Sequence, residues 1–375
     1  MPKALKIRIK EGGNLLAQST LFNRIYGCMI GGAVGDAMGF STEGMHYKKI
    51  RERYGKVEYP MQRENTEGWD PPVVGLVYTD DTVMKHMVCQ AIFESNGRPT
   101  IDAVANVWRR TITNHNQWVW WCNTRVVASK LQWNSLLPLR EVGRDSIPCN
   151  DAAMIIGPVG IINAGDPSRA AIEAWDISSL WQNGYSRECA AAMAACHAEA
   201  LRPEASVESV VETARRFSPT MRPHVDKAMD LVTSSKDAEE FTERYYEACL
   251  DDFPNRSYWE GMGSPENGWS FGADPLEVCV EALAFFALAE GNGREAIIGA
   301  VNFGRDCDTI AGIAAAYCGA LNGPKTIPSE WQEEINKANP EPNIKGYAEK
   351  LYNILLQNIE SLSKQVTEMR SLEDV

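Results

Sequence analysis

A chain of 375 residues is long enough for one large domain or two ordinary ones, and its formal charge of −13 gives it a surface that repels nucleic-acid phosphates. That charge excludes general DNA or RNA binding, but not a phosphate-bearing small ligand held by a metal or a helix N-terminus. Hydrophobic residues at 44% and charged residues at 23% suit a globular protein, no apolar run reaches the roughly 18 residues of a membrane span, and the start MPKALKIRIKEGG lacks the apolar core of a secretory signal, so a cytoplasmic location is expected.

Residues 1–21 read as an N-terminal extension, 22–364 as one domain, and 365–375 as a polar, flexible tail. Gly27, Gly31, Gly35 and Gly39 recur every four residues. On a helix they form one smooth stripe where another backbone can approach. A dinucleotide-binding glycine loop is the alternative, but no convincing strand precedes the run and no βαβ pattern follows. The segment between Tyr47 and Tyr78 is rich in Pro, Gly and charge and long for a connection, as functional lids often are. Then YTDDTVM places Asp80 and Asp81 between Thr79 and Thr82, at the start of a helical pattern. The aromatic run HNQWVWWCN offers Trp118, Trp120 and Trp121 either to the core or to a pocket wall.

Arg187–Leu201 and Leu276–Glu290 carry helical periodicity and high alanine content, with His197 inside the first as an ordinary helix residue. Between them, ENGWSFGAD exposes Trp269 and Phe271 on a Gly-containing loop. Near the end, NFGRDCDTIAG sets Asp306 and Asp308 on either side of Cys307, with Thr309 opening the alanine-rich helix Thr309–Leu321. That helix has its own small-residue stripe, Gly312, Ala315, Ala316 and Gly319, so the two striped helices are expected to meet near the centre and bring distant clusters together. Strand alternation is rare. The expected fold is all-α, a compact single-domain helical bundle with a central dinuclear metal site. The ten cysteines contain no C-x-x-C pair and read as reduced core thiols, and the five histidines lack metal-ligand spacing, so any metal is expected to be hard and oxygen-bound.

Each acidic cluster alone reads as an ordinary helix N-cap. Two such clusters are a different matter, because each gathers like charges that need neutralising. Asp80, Asp81, Asp306 and Asp308 supply four negative charges, which two divalent cations balance. Thr79 and Thr309 add neutral oxygens, and water can complete the octahedral shells that magnesium, or manganese, requires. Paired metal ions suit the polarising of hydroxyls and the activation of water.

Three motifs resemble the ADP-ribosylglycohydrolase family, which includes the dinitrogenase-reductase-activating glycohydrolases and the ADP-ribosyl-acceptor hydrolases. They are GCMIGGAVGDAMGFSTEG with Glu43 seven residues after Asp36, YTDDTVM, and FGRDCDTIAG. The resemblance implies two magnesium ions held by Thr79, Asp80, Asp81, Asp306, Asp308 and Thr309. Glu43 would lie beside them as a catalytic carboxylate or a gate, with Asp80 and Asp308 also counted as catalytic. It implies ADP-ribose as the ligand, its distal ribose facing the metals, and a glycosidic bond cut with a carboxylate transferring a proton. The acceptor would be a protein side chain or a small metabolite; a protein that binds ADP-ribose without cleaving it is the alternative from another class. Asp36 is expected to cap a helix or to orient ligands. Gly157 and Gly160, in a segment like the family's connecting region, join Trp269 and Phe271 as substrate-contacting positions.

Two departures from the family pattern bear on the substrate. Arg305 and Cys307 stand where the family commonly has a glycine and a threonine, and by the same resemblance Trp181 takes the place of a histidine that many relatives carry. Arg305 can grip a phosphate or carboxylate, or form an outward salt bridge. Trp181 can wall the pocket. Cys307, a poor magnesium ligand, is expected to point away into the packing.

Overall fold

The computed structural model describes residues 19–64, 73–111, 127–131, 137–263 and 268–372. The aromatic run His115–Asn123 lies outside them. The helices, in chain order, begin with α1 (Thr20–Gly39), α2 (Tyr47–Tyr54), α3 (Asp80–Glu94) and α4 (Ile101–Thr111). The middle of the chain forms α5 (Asp151–Met154), α6 (Gly157–Ile162), α7 (Pro167–Ser178), α8 (Gly184–Ala200), α9 (Val207–Phe217), α10 (Arg222–Ser234), α11 (Ala238–Ala248) and α12 (Arg256–Glu260). The last five are α13 (Pro275–Leu288), α14 (Gly293–Phe303), α15 (Cys307–Asn322), α16 (Ser329–Ala338) and α17 (Ile344–Ser371). Among the described residues there is no strand, only two isolated antiparallel bridges, Met45 to Trp269 and His46 to Gly304. No described helix is long and apolar enough to cross a membrane. The segment after Tyr47 begins as helix α2, whose start is capped by His46 Nδ1 accepting from Lys48 N, so the irregular stretch is shorter than its composition suggests.

The bundle is organised around α1 and α15, which run antiparallel and are buried along almost their whole length. The expected glycine stripe is the reason. A methyl group at Gly31 would sit 2.5 Å from the Ala315 carbonyl oxygen, well inside van der Waals contact, and Gly27, Gly35 and Gly39 lie equally tight against Gly319, Ala311 and Asp308. With no side chain between them, the two backbones touch, and the C-terminus of α1 is set against the first turn of α15. Helix α13 packs beside α15, and α8 and α17 also border this central pair. The nine described cysteines are all buried, as expected of core thiols. His197 sits in that core too, its ring 4.6 Å from Tyr317 and its Nδ1 3.5 Å from Cys28 Sγ.

Candidate metal centre

Three helix starts and one helix end converge on a single cleft. Asp36, in the last turns of α1 and fully buried, accepts hydrogen bonds from Thr79 N (2.9 Å), Thr79 Oγ1 (2.8 Å), Thr82 N (3.0 Å) and Thr82 Oγ1 (2.5 Å). The first turn of α3 therefore hangs on α1, capped by a carboxylate 43 residues earlier in the chain. Thr79, the residue at the cap position, makes no side-chain cap bond of its own. At the start of α15, Asp306 also makes none. Its Oδ2 instead accepts from Asn150 Nδ2 at 2.6 Å, and Asn150 is held by its own N–H on the Ala273 carbonyl at 2.9 Å. Ordinary capping thus fails to explain either residue.

The cleft between these helix ends spans about 780 Å³, counting the open solvent at its mouth. Carboxylate oxygens of Glu43, Asp306 and Asp308 all lie within 4.8 Å of one another, a set that can hold a metal ion. Asp81 and Thr309 complete the floor, with Thr309 Oγ1 donating to Asp81 Oδ2 at 3.2 Å, and Thr79 Oγ1 is 3.4 Å from Asp308 Oδ2. Asp81 Oδ1 is buried without a hydrogen-bond donor among the described residues.

Electrostatics make the cluster costly without a cation. Burial, followed by the charges of Glu43 and Asp36, pushes Asp80 up to about 8. Burial holds Asp81, Asp306 and Asp308 well above the ordinary carboxylate range, reinforced at Asp81 by Asp36 and Asp80, at Asp306 by Asp308, and at Asp308 by Glu43 and Asp81. Helix N-termini offset part of that repulsion. A hard divalent cation would offset the rest, and an all-oxygen donor set with one orphaned buried carboxylate oxygen fits such an ion.

Trp269 and Phe271 line the cleft as the sequence suggests, their rings 5.6 Å apart. Cys307 points away, its Sγ 3.1 Å from the Gly39 carbonyl and 3.3 Å from Thr42 Oγ1. Four expected contacts are not at the cleft. Arg305 is fully buried behind it, on Glu277, Glu260 Oε1 (3.1 Å), Ser270 Oγ (2.9 Å) and the Phe271 carbonyl (3.4 Å). Its backbone is left-handed (φ 60°), directly after Gly304 (φ 79°), and this reversal sends successive side chains to opposite sides. Its salt bridges run inward, not outward. Trp181 is fully buried against Trp108 at a ring distance of 4.8 Å, so it walls the core. Gly157 and Gly160 provide room for His197, not for a ligand. Sequence reasoning missed Phe40, Arg63, Asn150, Asp151 and Met154 on the cleft wall. Asn150-Asp151 opens α5 as the other polar pairs open α3 and α15, and that shared pattern was a usable signal. Arg63 lies in an irregular stretch and carried none.

Comparison with known proteins agrees with this architecture. The family model described as ADP-ribosylglycohydrolase matches residues 17–361. The chain belongs to the ADP-ribosylglycohydrolase family. As a member it is a glycosidic hydrolase; the family is metal-dependent, and this chain's acidic cleft carries a cluster that can bind a metal ion. It is similar to the uncharacterised Escherichia coli (strain K12) protein YegU, 24% identical over 339 residues covering 84% of this chain and 92% of that one. An uncharacterised Archaeoglobus fulgidus protein is 23% identical over 322 residues, covering 82% and 90%. The fold resembles a solved ADP-ribosylglycohydrolase-related protein complex, with a TM-score of 0.57 and 18% identity, over 89% of this chain and 99% of that one.

Proposed function

We propose that the chain is a magnesium-dependent hydrolase that cleaves the glycosidic bond at the distal ribose of an ADP-ribosyl group on a protein side chain. The observation that carries this reading is the meeting of Glu43, Asp306 and Asp308 within 4.8 Å on the wall of an open cleft. Thr79, Asp80, Asp81, Asp306, Asp308 and Thr309 would hold two magnesium ions, with manganese the other metal such oxygens accept. When bound, such ions polarise a ribose diol and lower the pKa of water. Glu43, half-buried at the cleft mouth, takes the proton-transfer role. Asn150 fixes the orientation of Asp306, and Asp36 fixes Thr79. Trp269 and Phe271 supply an apolar wall against which a flat group packs.

Arg305 and Trp181, the two departures that bear on the substrate, are fully buried and do not line the cleft. The test is release of ADP-ribose from arginine-linked, serine-linked and small-molecule-linked conjugates, with magnesium and with a chelator. The expected result is release from a protein conjugate that needs magnesium and stops on chelation. Release from the small molecule alone would move the acceptor to a metabolite. Tight ADP-ribose binding with no turnover on any conjugate would make the protein a binder and overturn the reading.

A further inference from the structure

Arg63 is the single cation among the described residues lining the cleft, which also carries six acidic groups. Its Nη1 donates to Glu43 Oε2 at 2.7 Å and to the Phe40 carbonyl at 2.8 Å, and its guanidinium lies 4.6 Å from the Phe40 ring centre. The anchor on Phe40 is rigid, because Phe40 closes α1. Nε and Nη2 make no hydrogen bond among the described residues, which leaves the fork's remaining donors available for a ligand. The Arg63 and Glu43 side chains are 21% and 23% exposed, so both groups face the mouth and not the floor.

We propose that Arg63 reads the anionic group of the substrate, and that Glu43 occupies its guanidinium until that group arrives. An anion at the mouth meets three N–H donors that no described residue occupies, in a planar fork whose geometry suits phosphate oxygens. An anion held there neutralises the guanidinium and so weakens its hold on Glu43 Oε2, beside Asp306 and Asp308 where a proton-transferring carboxylate is needed. Substrate charge and Glu43 thus compete for one positive charge, and binding of the first loosens the second. The favoured substrate class is a ribosyl conjugate bearing a diphosphate, and an uncharged riboside gains nothing from Arg63. This inference rests on the ADP-ribosyl reading for its substrate, but not for its chemistry.

The test titrates inorganic diphosphate, and separately ADP-ribose, into the full-length chain with magnesium in fixed excess. The variants are Arg63→Met, Arg63→Lys, Glu43→Gln and the double variant Arg63→Met with Glu43→Gln. Arg63→Met is expected to weaken diphosphate binding about 10- to 100-fold, the usual size of a charge-assisted contact, and Arg63→Lys to keep part of it. Glu43→Gln removes the internal competitor and is expected to tighten binding several-fold, but only where Arg63 is present. A purely structural Arg63 would not give that coupling. Unchanged affinity in Arg63→Met, or no tightening in Glu43→Gln, overturns the proposal. If the diphosphate pattern holds while the wild type ignores ADP-ribose, Arg63 keeps its role and the ADP-ribosyl reading is the one that falls.

Discussion

Four hydrogen bonds end on the carboxylate of Asp36, and no other described side chain holds the start of α3 onto α1 in this way. Asp36→Ala should cost about 2–4 kcal/mol in urea unfolding, from a lost cap and from buried donors left without acceptors. Asn150 lines the cleft and holds Asp306, donating from Nδ2 to its Oδ2. Asn150→Ala should therefore weaken magnesium binding about 10- to 100-fold while changing stability little, which calorimetry and thermal melts together would show. The same residue scale shows where sequence reading succeeds and fails. Asp80, Asp81, Asp306 and Asp308 were legible because acidic pairs at helix starts carry an identifiable excess of charge. Arg305 was adjacent to them in sequence and so seemed adjacent in function. A left-handed backbone at 305 turned it to the far side, onto Glu277, and no spacing rule announces that turn.

At the scale of elements, the site depends on how closely α1 and α15 approach. Gly31 faces the Ala315 carbonyl with no room for a methyl group. Gly31→Ala should push the helices apart and destabilise the fold by roughly 1–3 kcal/mol, and it should also lower metal affinity, because Asp36 and Asp308 ride on the two helices. Denaturant titration and metal binding on the same variant check both halves; full affinity in a destabilised variant would separate the packing from the site. The glycine stripe was readable from its four-residue period, which is the helical repeat written in the smallest side chain. Trp181 was not readable, since a tryptophan near a motif fits a pocket wall or a core equally well, and its edge-on contact with Trp108 decides for the core.

For the whole molecule, the buried acids couple protonation to stability. Asp80 rises from 3.8 to about 8 on folding, so the folded chain holds a proton that the unfolded chain releases. Stability from this group is full below about pH 4 and is lost as pH rises toward 8, and Asp81, Asp306 and Asp308 shift in the same direction. Chelated protein should therefore lose several degrees of Tm between pH 5 and pH 8, and magnesium should restore most of it at pH 8. A chelated protein equally stable at both values would contradict the charge balance proposed for the cleft.

The central claim is that two acidic helix starts, far apart in sequence, form one paired-metal site. Manganese titration followed by electron paramagnetic resonance measures this directly, because it counts bound ions and registers coupling between close neighbours. The wild type should bind two coupled ions per chain, and Asp306→Ala or Asp308→Ala should lose the coupling and weaken binding by at least about 100-fold. Wild-type stoichiometry and coupling in either variant, or no bound manganese in the wild type, would contradict it.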